Sequence, residues 1–306
     1  MRLSTSYMYQ SNVNSMSNAE VNRQYIAERF SALQTLLRPS DDPGAASQAI
    51  VYQNALSDIN QYGTARMFAQ DALGYEDNAL SSITNLLTKN LTEKIVQAGN
   101  DTYSDADREA LAVELEGIRD SLVDLGNSKN SNGHYIFGGY NSDSPPFLPD
   151  GTYVGGDKAM TQKVGDSAEM QIGHTGSDVF MSGTGDDLFV ALDNAITALR
   201  QPIETDADRE ALRDVLDDTN RSINKCIDNL GKVQAEVGTN LQQLEQMGFS
   251  SDLTKIAVET SYSETIGADP DSIMKMPTQV VMAELALQTS MLVFQSMKNT
   301  SLFSMM

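Results

Sequence analysis

The sequence predicts a mainly α fold: an antiparallel long-helix, coiled-coil rod with paired terminal helices and a small inserted β domain. Three observations predict it. Apolar residues recur at steps of three and four over most of the 306-residue chain, the seam spacing of helices packed on helices. That period fails between Gly133 and about Gly185, where prolines 145, 146 and 149 and many glycines fall. Helical pattern stands on both sides of the break, so a chain that goes out, turns and returns sets its two ends side by side.

The first seam runs over residues 12–37 through Met16, Ala19, Arg23, Ile26, Phe30, Leu33 and Leu37, with only Arg23 out of character. It should stop at Arg38-Pro39-Ser40-Asp41-Asp42-Pro43, where two prolines remove donors and bias their predecessors to extended geometry. Asp41 or Asp42 can cap the next helix, and Pro43 suits its first turn. From Ala45 to Ile95 a long helix follows, its seam weak at Gly63 and Arg66. Ser104 and Asp107 form a capping-box pair ahead of Leu111, Leu115, Ile118, Leu122 and Leu125. Within the break, Thr152-Tyr153-Val154, Lys163-Val164 and Glu169 to Ile172 are the candidate strands. Helical pattern resumes after Asp187 with Leu188, Leu192, Ile196 and Leu199.

The cleanest seam follows: Leu212, Leu216, Thr219, Ile223, Cys226, Leu230, Val233 and Val237, then Leu241 and Leu244 after one shifted step. The motif Asp-Ala-Asp-Arg-Glu-Ala-Leu occurs at both 105–111 and 206–212, each time behind a hydroxyl, Ser104 or Thr205. Duplication is one reading, and one way of starting a helix used twice is the favoured one. Past Gly248 the pattern weakens. After Asp269-Pro270-Asp271 the last stretch puts Val280, Ala283, Leu287, Met291, Phe294 and Met297 on one face and Val281, Leu285 and Leu292 on another, too wide an apolar surface for one partner.

Charge divides the chain in the same way. The net charge is −21, yet residues 1–40 carry +2 and residues 272–306 carry +1, which leaves −24 on the 231 residues between. Such acidity repels phosphate backbones and speaks against nucleic-acid binding, while the near-neutral ends can crowd against copies of themselves. Ten of the 15 methionines lie in those ends, where flexible thioethers suit surfaces that adapt to several neighbours. Residues 1–30 lack the apolar core of a signal peptide, and no run approaches the roughly 18 apolar residues of a membrane span. The expectation is a chain that is neither signal-cleaved nor membrane-spanning.

Residues for chemistry are scarce. There are two histidines, His134 and His174, and one cysteine, with no His-Glu-x-x-His and no Gly-x-Ser-x-Gly elbow. Cys226 falls on a seam and reads as a buried structural thiol. Gly183-Thr184-Gly185-Asp186 lacks the preceding strand and the lysine of a phosphate loop. The acidic pairs Asp41-Asp42, Asp186-Asp187 and Asp217-Asp218 lack calcium-loop spacing and read as helix starts. No catalytic, cofactor or metal residue is assigned.

Five segments in order carry a resemblance. They are Met1-Arg2-Leu3-Ser4-Thr5-Ser6-Tyr7-Met8-Tyr9-Gln10; the hinge Pro39-Ser40-Asp41-Asp42-Pro43 with Ala45-Ala46-Ser47-Gln48-Ala49; Gly133-His134-Tyr135-Ile136-Phe137-Gly138-Gly139-Tyr140; Ile172-Gly173-His174-Thr175-Gly176; and Ala286-Leu287-Gln288 with the ending Ser301-Leu302-Phe303. Together they resemble the flagellin family, in its hook–filament junction branch. The resemblance implies a secreted structural protein of the bacterial flagellum, exported unfolded through the flagellar type III apparatus.

It also implies an assembly domain at 1–40 with 272–306, a helical rod domain at 41–132 with 187–271, and an outer β-rich domain at 133–186. The implied partners are copies of itself in a ring, a neighbouring hook-associated protein, flagellin and an export chaperone at the C-terminal helix, with no nucleic acid and no membrane. The implied assembly surface is Met16, Ile26, Phe30, Leu33, Leu37, Leu285, Leu287, Met291, Phe294, Leu302 and Phe303, and the histidines become fold-determining. An isolated seam helix is marginal in water, so order at the ends is expected only once neighbours bury them. A filament-forming flagellin, or a secreted adhesin or effector acting through the β module, remain as alternatives.

Overall fold

The computed structural model describes residues 5–100 and 102–303, with side chains over 6–100 and 102–298. It is mainly α, 73% helical, with one two-stranded sheet. In chain order the elements are α1 (Thr5–Ala32), α2 (Pro43–Asn85), a π-helical turn (Leu86–Leu91), α3 (Thr92–Ala98), α4 (Asp105–Gly126), β1 (Thr161–Lys163), β2 (Glu169–Gln171), α5 (Gly176–Phe180), α6 (Leu188–Leu199), α7 (Asp206–Ile266) and α8 (Pro270–Phe303). Two compact units arise, Met1–Asn60 with Ser251–Met306 and Gln61–Ser250. Their boundaries fall inside α2 and α7, beside the weak stretches at Gly63–Arg66 and after Gly248.

The larger unit holds a continuous apolar core. Leu73, Leu80, Ile83, Leu87 and Leu91 of the α2 stretch are fully buried, and so are Leu115 and Leu122 of α4. Steps of four at 83, 87, 91 and 95 each drift by about 40° on a 3.6-residue helix. The π turn has more residues per turn and absorbs that drift, its closing Thr92 donating its hydroxyl to Leu87 O at 2.9 Å. Of the α7 seam, Leu212, Leu216, Thr219, Ile223, Cys226, Leu230, Val233, Val237 and Leu244 are buried and Leu241 half-buried. Thr219 is admitted because its hydroxyl donates to Val215 O at 2.8 Å and lies 3.1 Å from Ala191 O.

The repeated heptapeptide makes the same cap twice. Ser104 Oγ accepts from Asp107 N while the Asp107 carboxylate accepts from Ser104 N at 3.0 Å, and Thr205 and Asp208 repeat the exchange at 3.2 and 2.8 Å. Hydrogen bonds from the hydroxyl and backbone hold both carboxyls below their ordinary range.

The insertion contains little regular sheet. β1 and β2 pair antiparallel with Gln162 opposite Met170, and Phe147–Tyr153 and Lys129–Tyr135 form isolated bridges. Of the candidate strands, Glu169 to Ile172 supplies β2, Lys163-Val164 meets β1 only at Lys163, and Thr152-Tyr153-Val154 supplies one bridge residue. The centre is aromatic, with the Phe147 ring 5.2 Å from Phe180 and 5.3 Å from Phe189.

In the smaller unit α1 and α8 run antiparallel, the Tyr9 ring tilted against Phe294 with centroids 5.3 Å apart, while Thr35 N donates to Ile266 O at 3.0 Å. Here the sequence reading needs one correction. The first helix stops at Ala32, short of Leu37, because Leu33 takes a left-handed conformation (φ 53°) and Thr35 N and Leu36 N turn to cap the carboxyl end of α7 at Ile266 O. Within the chain α1 and α8 lie against each other.

Gly267 makes that junction possible: its φ is +65°, and a Cβ there would land on the Thr35 side chain. Gly267→Val is expected to lose roughly 1–2 kcal/mol for the left-handed backbone alone and more for the collision. Thermal unfolding followed by circular dichroism checks it, with Thr35→Gly recovering only the collision part.

Candidate assembly surface

The seam of α8 that faces α1 is regular: Met276, Ala283 and Leu287 are buried, and Val280, Ser290, Phe294 and Met297 are half-buried. Met291, assigned to this face from sequence, stands one residue off it and is exposed, Ser290 occupying the seam position. On α1 the opposing side is Met16, Ala19, Arg23 and Ile26, all half-buried, ending at buried Arg29. Phe30 and Leu33, expected to continue it, are exposed, while Leu37 is half-buried in the turn.

Arg23, the out-of-character residue, pairs with Glu20 at 2.7 Å and faces the charge of Glu284 on α8. Its hydrogen bond to Glu20 raises the guanidinium above its ordinary value and lowers the Glu20 carboxyl. A cation at this seam position is therefore satisfied at the edge of the interface.

What α1 leaves uncovered is the second face of α8. Val281, Leu285 and Leu292 are 63%, 55% and 66% exposed, and Met274 joins them at heptad steps. Removing that apolar strip from water is favourable by about 25 cal/mol per Å², which makes it a candidate contact surface. The side chains of Leu302 and Phe303 lie outside those described, as do residues 1–4 of the first resembling segment.

The hinge works through its two aspartates, each with its own task. Asp42 caps α2, accepting from Gly44 N at 2.9 Å and Ala45 N at 3.0 Å. Asp41 turns back, accepting from Leu37 N and Arg38 N and pairing with Arg29 at 2.7 Å. Burial would raise its carboxyl, but those backbone donors and the Arg29 charge hold it below the ordinary range. Pro39, Ser40 and Pro43 thus flank a closed turn.

The two inner motifs meet each other in the larger unit. Phe137 is fully buried and its carbonyl accepts from Gly176 N at 2.9 Å, joining the Tyr135-Ile136-Phe137-Gly138 run to Gly173-His174-Thr175-Gly176. Tyr135 N and Ile136 N donate to Ser142 O and Ser128 O, Gly138 O accepts from Gly156 N, and Tyr140 is exposed. Thr175 caps α5 by accepting from Asp178 N at 3.2 Å. His174 lies between two carboxylates, Nδ1 at 2.8 Å from Glu76 Oε1 and Nε2 at 3.1 Å from Glu236 Oε2. Sequence reasoning missed both glutamates: Glu76 is fully buried on α2, and nothing in its spacing marks it off from solvated neighbours.

The remaining groups are structural. Cys226 is buried and its thiol pushed up to about 12 by desolvation and the nearby Asp187 charge, so it is no nucleophile at neutral pH. Gly183 N, in the candidate phosphate loop, donates to Asp187 Oδ2, and Asp187 caps α6. Among the described residues no group of three His, Cys, Asp or Glu side chains is placed to hold a metal.

Against known proteins, the family model described as the bacterial flagellin N-terminal helical region matches residues 3–142. Flagellar hook-associated protein 3 of Salmonella typhimurium is 37% identical over 319 aligned residues, covering 100% of this chain and 99% of that one. The protein of the same name from Escherichia coli K12 gives the same identity and coverage. Among solved structures, flagellar hook-associated protein-3 of Legionella pneumophila superposes with a TM-score of 0.64 at 19% identity, over 72% of this chain and 99% of that one.

Proposed function

Because the chain belongs to the flagellin family, in its hook-associated protein 3 group, we propose that it is the structural adaptor joining the hook of the bacterial flagellum to the flagellin filament. It is an exported component of the flagellum, and its family is a structural one. The end-to-end match to two hook-associated protein 3 chains carries the reading, since the alignment includes the insertion as well as the helical ends. A filament-forming flagellin is the less favoured alternative on that ground.

The finer assignments rest on geometry. The uncovered apolar face of α8 supports contact with further subunits in a ring about the filament axis, with a hook-associated protein on one side and flagellin on the other. An export chaperone that covers this face before assembly fits the same strip. No catalytic step is assigned to the chain: its one thiol is buried, and its inner histidine is fully engaged by carboxylates.

Deleting the chain from its own bacterium tests the role. Bare hooks with unpolymerised flagellin in the medium are expected by electron microscopy and immunoblot. Missing filaments with no other flagellin secreted would make this chain the filament subunit, and intact motile filaments would overturn both flagellar readings.

A further inference from the structure

We propose that His174 is a proton-operated latch: with both ring nitrogens protonated it clasps the inserted β-rich segment to α2 and α7 together, and on losing one proton it lets the α7 side go. All the groups lie in the larger unit. The ring bridges Glu76 on α2 and Glu236 on α7, and the His174 backbone N also donates to Glu76 Oε1 at 2.9 Å. A neutral imidazole has one N–H. Were the ring neutral, one nitrogen lone pair would face a carboxylate oxygen at hydrogen-bond distance.

The two carboxylates are unequal, and that sets the order of events. Glu76 is fully buried and its second oxygen, Oε2, has no hydrogen-bond partner, so the imidazolium is what balances its charge. The Glu236 side chain is 68% exposed and water can solvate it. The proton on Nε2 is therefore the one released, which breaks the α7 contact and keeps Nδ1–H on Glu76. The charges that act on His174 are those of Glu76 on α2 and Glu236 on α7. The other histidine, His134, lines the same cavity of about 260 Å³ but pairs with Asp143 at 3.0 Å.

Burial of His174 works against its charged form, yet the hydrogen bond and charge of Glu76, then those of Glu236, outweigh burial and raise its pKa above 6.5. The sign follows from linkage. The clasp is complete below the ordinary imidazole value and is lost as pH rises through the raised one. Asn240 Nδ2 still donates to Gln171 O at 3.2 Å, so release is local opening of the segment and leaves the helices folded.

The test uses the full-length chain with isotope-labelled histidine rings. Only two histidines are present, and His134→Gln assigns them. His174 is expected to stay doubly protonated above pH 6.5. Amide exchange at Ile172 and Gly176, corrected for its chemical pH dependence, should then rise by up to about tenfold per pH unit and level off. Glu236→Gln removes an exposed carboxylate without touching the core, and should move the His174 titration and the onset of exchange together to lower pH. Where His174→Gln folds, it should show no such rise. A ring that titrates at or below the ordinary value, or an onset that Glu236→Gln leaves in place, overturns the latch.

Discussion

A chain cut to residues 41–271 is expected to melt in one cooperative transition and to support no filaments at all, leaving bare hooks and flagellin in the medium. The first half follows from burial. Every residue of the continuous core, from Ala69 to Leu244, lies within the retained span, and a single core of that extent unfolds as a unit. The second half follows from what is removed: the α1–α8 seam and the exposed Val281–Leu285–Leu292 face.

A point variant separates adhesion from any other role of the ends. Leu285→Asp with Leu292→Asp changes two exposed side chains, so each is expected to alter the melting free energy by no more than about 0.5 kcal/mol while reducing filament number sharply. Calorimetry and electron microscopy decide it. Non-cooperative melting of the 41–271 chain would sink the claim that it folds alone, and normal filaments from the double variant would sink the assembly role of the α8 face.

The helical part of this molecule was legible because its signal is local. Ser104 with Asp107 and Thr205 with Asp208 state their helix starts within four residues, and steps from Leu212 to Val237 state which face is buried. Even the points where the seam weakens, Gly63 and the residues after Gly248, coincide with the division between units. The apolar excess of α8 was legible for the same reason, although the face-to-face register was misjudged by one residue at Met291.

Illegible features are those decided across distance. Leu33 has the right spacing for the first seam, but the chain gains more from capping Ile266 O than from another helical turn. Glu76 looks like any surface glutamate until a loop almost a hundred residues on brings His174 to it, 98 positions away. The resemblance to a family named those motif residues without saying what they touch.

The phenylalanine cluster is the largest such case, and Phe147→Ala is expected to be the most damaging single core substitution in the insertion. Phe137, Phe147, Phe180 and Phe189 have no common period, and Pro145, Pro146 and Pro149 mark Phe147 as loop. In the structure it is 2% exposed. Its ring packs edge-on to Tyr153 and Phe180 at 5.2 Å and comes so close to Gly176 that an added Cβ there would sit 2.6 Å from its Cζ.

Asn127 fixes the backbone beneath it, donating to Phe147 O and accepting from Phe147 N, both at 3.0 Å. Held this way, the surrounding rings cannot collapse into the space an alanine leaves. The loss should therefore approach the full range of about 3–5 kcal/mol for a buried aromatic, a fall of roughly 2–4 °C in Tm for each kcal/mol. Phe249, 70% exposed on α7, is the control, and its alanine variant should melt within about 0.5 kcal/mol of the parent. Were the two variants to melt alike in calorimetry, the insertion would not be organised around this ring. A fall confined to Phe147→Ala would mean that the segment with least regular structure carries one of the tightest cores in the chain.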